Sequence, residues 1–146
     1  MTKVRKVLRP RTLWLAAGML CFLATMASAQ MSVVIAKASK YTPSEGDAKS
    51  YFAAVKLEWP DGTKVQVIDQ PDAAIAKTFY EKFVGVGVTQ VRKEWTKLIL
   101  SGQATAPVKC ASDDEVKKAL AANPAAIGFI ATASVDATVR EIAKIQ

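Results

Sequence analysis

The sequence has no histidine at any of its 146 positions. Without an imidazole, His-based catalytic triads, His-ligated zinc and imidazole acid–base chemistry all lose their central group, which argues against a conventional hydrolase. Cysteine is nearly as scarce, with only Cys21 and Cys110. A phosphate-cradling GxxxxGK[ST] loop is missing. The pair of glycines at Gly85 and Gly87 lies between two helical patterns rather than between a strand and a helix, so it is not a nucleotide motif. There is no internal repeat and no low-complexity tract. The longest apolar stretch, residues 13–26, falls short of the ~20 residues that a membrane-spanning helix needs.

What is present begins with an export signal. Residues 1–11 carry Lys3, Arg5, Lys6, Arg9 and Arg11 and no acidic side chain, the apolar stretch follows, and Ala27-Ser28-Ala29 places small side chains where a signal peptidase requires them. The expected cut is after Ala29, giving a signal peptide at 1–29 and a single domain at 30–146. Gly18-Met19-Leu20 before Cys21 does not match a lipoprotein signal. No two arginines are adjacent, which favours the general secretory route. The expected location is the periplasm, with no permanent membrane anchor.

Cleavage changes the electrostatics. The chain carries 20 basic and 13 acidic residues. Five of the basic ones leave with the signal, so 15 face 13 and the net charge falls from +7 to +2. The apparent basicity is mostly the export signal, and nucleic acid is not an expected partner. Only Cys110 remains, so no intramolecular disulfide forms, and a small core residue is the expected role for it.

Along residues 30–146, the β-branched run from Ser32 to Ala36 predicts a buried strand and residues 39–44 a loop. Ser44 is placed to cap a helix through about Val55, with Tyr51, Phe52 and Val55 on its buried side. Trp59-Pro60-Asp61-Gly62 predicts a turn and residues 64–68 a period-two strand. Ile75, Phe79, Tyr80 and Phe83 share one helical face after an N-cap at Asp72, and Val88, Val91, Trp95, Leu98 and Ile99 share another. Ser112 and Glu115 match a capping box. The helix they open ends near Asn123-Pro124, before an apolar strand at 126–131. The spacing of Val135, Val139, Ile142 and Ile145 fits helix and strand alike. Strands separated by helices predict an α/β fold, a mostly parallel sheet with helices on both faces.

Ligands of open α/β sheets bind at the carboxyl ends of the strands, which draws attention to residues 69–77. Asp69 and Asp72 are the carboxylates there. The free amides opening the next helix, at Asp72, Ala73 and Ala74, form an anion site in principle, with Gln70 before them and Lys77 close by for charge. Asp72 itself opposes an anion, and a merely capped helix is the plainer account. The acidic residues 113–115 are explained by capping and are too few for a hard cation. No metal, cofactor or nucleophile–base pair is expected.

Several segments then form an ordered set: residues 56–62 ending in Trp59-Pro60-Asp61-Gly62, Phe79-Tyr80-Glu81-Lys82-Phe83, residues 90–95, Ser112-Asp113-Asp114-Glu115-Val116, and Asn123-Pro124-Ala125-Ala126-Ile127-Gly128-Phe129. Over nearly all of residues 32–142 the chain resembles the phosphate-type periplasmic substrate-binding proteins of bacterial ABC transport systems. The resemblance implies one lobe of a type 2 periplasmic-binding-protein fold, no enzymatic activity, a small phosphate-like oxyanion as ligand, and an envelope or ABC transporter partner. In full-length members an Arg and a Ser-Gly-Thr run follow the strand equivalent to 64–68. Here that position holds Asp69-Gln70-Pro71-Asp72-Ala73-Ala74, without the arginine or the hydroxyls. The competing expectation is an accessory or interaction module of the envelope that has lost ligand binding.

Overall fold

The computed structural model describes residues 30–146. The expected signal peptide, and Cys21 within it, lie outside the described residues.

Strand β1 (Met31–Ala36) is buried along its whole length, as a β-branched run flanked on both sides demands. Helix α1 (Glu45–Phe52) opens with a reciprocal cap. The Ser44 hydroxyl accepts the Asp47 amide at 3.1 Å, while the Asp47 carboxylate accepts the Ser44 amide at 3.3 Å. The helix stops at Phe52, short of the expected Val55, because Ala54 turns left-handed at φ 62°. Val55 lies beyond it, exposed rather than buried. Trp59-Pro60-Asp61-Gly62 is the expected turn. The Trp59 indole N–H donates to the Ala125 carbonyl at 2.9 Å and so ties the turn to the far end of the chain. The strand expected at 64–68 is β2 (Gln66–Asp69), and Lys64 instead makes an isolated bridge with Glu58.

Helix α2 (Ala73–Phe79) runs into a π turn (Tyr80–Val84) and ends at Gly85, whose φ of 78° suits glycine. Helix α3 (Val88–Leu100) follows, then a two-residue strand β3 (Val108–Lys109), helix α4 (Asp113–Ala122) and strand β4 (Ala126–Ala131). At α4 the cap is half of the expected box: Ser112 Oγ accepts the Glu115 amide at 3.2 Å, but the Glu115 carboxylate takes the Ala111 amide at 2.7 Å. The C-terminal segment left open by its spacing is strand β5 (Val139–Ile145).

The five strands form one sheet in the order β3-β2-β4-β1-β5. β2 is parallel to β3 and β4, and β1 is antiparallel to β4 and β5. Four strands therefore point one way and β1 alone the other. Both faces are covered, as expected. On one, Phe52, Phe79, Tyr80 and Trp95 from α1, α2, the π turn and α3 pack on Val33, Ile35, Val67, Ile127 and Phe129. On the other, α4 seats Val116 and Leu120 over Val34, Ile68 and Ile130. Gly128 lets α4 approach this closely: a Cβ there would stand 3.0 Å from Val116 Cγ1 and 3.3 Å from Ile68 Cβ.

Candidate functional site

The parallel strands β2, β3 and β4 end at the same edge of the sheet, where α/β folds hold their ligands. At the end of β2, Asp69 and Gln70 are both buried, and they serve opposite sides. A cleft opens on each.

On the Gln70 side the cleft is about 290 Å³ and is lined by Met31, Ala74, Ile75, Thr78, Asp113 and Ala131 as well as Gln70. The Gln70 amide nitrogen donates to the Phe129 carbonyl at 2.9 Å and to Asp113 Oδ1 at 3.1 Å. Asp113 Oδ2 accepts the Ala131 amide at 3.2 Å and the Ser134 hydroxyl at 2.6 Å. No cation lines this cleft. The adjoining start of α2 is also occupied, since Asp72 Oδ1 accepts the amides of Ala74 at 3.0 Å and Ile75 at 2.9 Å. A carboxylate of the chain itself thus holds the donors that the anion expectation needed. Ala73 and Lys77 lie exposed on α2. Asp69 and Asp72 do not converge.

On the Asp69 side the cleft is about 270 Å³, between the ends of β2 and β3 and the flank of α3. Its chemistry comes from Asp69, Tyr80, Arg92, Thr96 and Lys109, with Trp95 as one wall. The Trp95 indole N–H donates to the Phe52 carbonyl at 3.1 Å, which fixes that wall. The π turn carries Tyr80 over the end of β2, where its hydroxyl donates to Asp69 Oδ1 at 3.3 Å. Arg92 Nη2 stands 3.8 Å from Asp69 Oδ2, within ion-pair range but beyond a hydrogen bond.

Burial pushes the Asp69 carboxyl up from its ordinary value, against the pull of Arg92, the Tyr80 hydroxyl, the Gln70 amide and Lys109. Burial also raises Tyr80, with the Asp69 charge adding to it. The result is a buried, under-donated carboxylate beside two cations in one cleft.

Of the six residues expected at the site, the structure brings Asp69 to this cleft and Gln70 and Ala74 to the other. Tyr80, Arg92 and Lys109 were missed. Tyr80 counts as core by its spacing, and Lys109 ends a strand too short to show any period. Arg92 lies between the buried Val91 and Trp95 on the exposed side of α3, where a basic residue carries no signal of its own.

Cys110 is buried, and burial together with Glu115 raises its thiol, which disfavours the thiolate. Among the described residues no group of three or more His, Cys, Asp or Glu could hold a metal, and no helix is long and apolar enough to cross a membrane.

No protein-family model and no curated protein matches the sequence. Solved structures match the fold. An ABC-type phosphate transport receptor from Vibrio cholerae is 18% identical, with a TM-score of 0.57 over 78% of this chain and 46% of its own. A protein from Clostridium perfringens, assigned as a phosphate ABC transporter substrate-binding protein and solved with bound phosphate, is 15% identical. Its TM-score is 0.58 over 78% of this chain and 45% of its own. The PstS protein of Borrelia burgdorferi is 13% identical, with a TM-score of 0.52 over 71% and 42%. The chain spans less than half the length of each. Its fold is therefore that of a single lobe of a phosphate-type substrate-binding protein.

Proposed function

We propose that this chain is an exported, non-enzymatic binding module of the substrate-binding-protein type, and that it holds a small phosphate-like oxyanion in the cleft between Asp69 and α3. The observation that carries the reading is the juxtaposition of Arg92 and Lys109 with the buried Asp69 carboxylate. Two cations supply donors and positive field to an anion leaving water, while the Thr96 hydroxyl donates to the Arg92 carbonyl at 2.8 Å. An ionised carboxylate only accepts hydrogen bonds, so Asp69 admits an oxyanion that brings its own proton. Phosphate near neutral pH carries one; sulfate does not. The fold likeness supports the same class of ligand, since the Clostridium perfringens protein was solved with phosphate. Its partner would be a transporter or another envelope component.

Calorimetry on residues 30–146 with phosphate and sulfate tests this. Phosphate is expected to bind and sulfate to bind less well. Arg92→Ala is expected to lower phosphate affinity roughly tenfold or more, as loss of a charge-assisted contact does. No heat and no thermal stabilisation with phosphate would overturn the reading and leave the accessory-module alternative.

A further inference from the structure

Beside the Asp69 cleft a second groove of about 420 Å³ runs along the outer face of α3, lined by Thr89, Arg92, Lys93, Thr96, Lys97 and Leu100. Arg92 and Thr96 line both spaces. Through these shared residues the cleft and groove line up as a track, with the Asp69 carboxylate and Lys109 at one end, Arg92 between, and Lys93 and Lys97 at the other. The helix supplies this row because positions three, four, seven and eight residues apart share a face. One carboxylate tempers it: Glu94 pairs with Lys97 at 3.0 Å.

A lone phosphate would use one end of the track and leave Lys93 and Lys97 without contact to it. A chain of phosphates would use all of it. We propose, resting on the reading of the Asp69 cleft as an oxyanion site, that the ligand is a linear polyphosphate, its terminal phosphate on Asp69, Arg92 and Lys109 and its following phosphates against Lys93 and Lys97. The end group matters chemically. A terminal phosphate carries a P–OH to donate to Asp69, whereas the phosphodiesters inside a nucleic acid carry none and would set a bare anion against that carboxylate. The groove ends in Leu100, which is 83% exposed and offers no charge, so the track accommodates a short run of phosphates.

The test compares orthophosphate, triphosphate and an oligothymidylate without terminal phosphate on residues 30–146 by calorimetry, at low and at raised salt. Triphosphate is expected to bind at least roughly fivefold tighter than orthophosphate, with the excess shrinking as salt rises, since the added contacts are exposed ion pairs. Lys93→Ala/Lys97→Ala is expected to abolish that excess and leave orthophosphate affinity unchanged. Both side chains are exposed, so the fold is not at stake. Lys37→Ala/Lys118→Ala, two exposed charges away from the track, is the charge-matched control and is expected to change neither. Equal affinity for orthophosphate and triphosphate overturns the polyphosphate inference and leaves the oxyanion reading standing. So does an excess that survives the double substitution. Oligothymidylate binding as tightly as triphosphate overturns the role given to the terminal group. Binding of neither phosphate species overturns both proposals.

Discussion

A carboxylate taken out of water loses hydration that only donors and cations replace, and at Asp69 the replacement is incomplete. Its nearest guanidinium nitrogen is 3.8 Å away and its one side-chain donor, Tyr80, is at 3.3 Å. The raised folded-state value means that, above the ordinary carboxyl value of 3.8, the folded chain holds a proton at Asp69 that the unfolded chain has released. Stability contributed there is present at low pH and lost as pH rises through the folded value. Asp69→Asn removes that loss. Subtracting thermal denaturation curves of the variant from those of the wild type, between about pH 3 and about pH 8, isolates it from the other carboxylates. The variant is expected to gain relative to the wild type across the window and to be at least as stable at neutral pH. Parallel curves would show that Asp69 is not under tension.

Gly128 is the second residue on which much rests. With Val116 and Ile68 at 3.0 and 3.3 Å from where a Cβ would stand, Gly128→Ala crowds the packing of α4 on the sheet, and the Val116 side chain or α4 must shift by a few tenths of an ångström. It is expected to cost about 1–3 kcal/mol in a urea titration, as overpacking does. Wild-type stability in that variant would mean that α4 yields freely.

Among the elements, α1, α2 and α4 carry side-chain caps that decide how their first turns are used. Asp72 serves α2 alone, holding the Ala74 and Ile75 amides. Asp72→Ala is expected to cost about 1 kcal/mol, close to the loss from Ser44→Ala at the reciprocal cap of α1. The two variants separate the possible anion sites. If phosphate sits in the Asp69 cleft, Asp72→Ala leaves its affinity unchanged. If it competes for the α2 amides, removing the resident carboxylate raises affinity.

The four helices were legible in the sequence because their buried positions repeat, and β1 and β4 because each is a mostly apolar run buried along almost all of its length. β3 was not, since two exposed residues carry no period. β5 was ambiguous for a physical reason. Its pairing with β1 shifts register between Val33 and Val34, so burial passes from Val139 to Ala143 and Ile145, and the apparent spacing of three among Val139, Ile142 and Ile145 misleads. The site follows the same logic. Asp69 was visible because it ends a strand; Tyr80, Arg92 and Lys109 reach it only through a π turn, the placement of α3 and the pairing of β3 with β2.

At the scale of the molecule, the sheet separates a large aromatic core from a smaller one under α4 alone. A chain with the fold of half a larger protein raises the question of whether the two sides fold as one. The sequence supplies a reporter for each side. Trp59 and Trp95 lie in the large core, where their indole N–H groups tie the Trp-Pro-Asp-Gly turn to Ala125 and α3 to Phe52. Cys110 lies in the small one, 5% exposed, beside the start of α4. Sheet strands contribute to both cores through alternate side chains, so neither face can open without loosening strands that the other needs. A single cooperative transition is the expected outcome for residues 30–146. In a denaturant series, thiol labelling of Cys110 and the change in tryptophan fluorescence should then share one midpoint, with negligible labelling before it. Labelling that runs ahead of fluorescence would show α4 lifting from the sheet by itself, a local opening of the kind expected where a helix packs on a single small cluster. Gly128→Ala sharpens the contrast, because it loosens only the α4 side. In a cooperative domain it moves both midpoints together; in a divided one it moves the cysteine's alone.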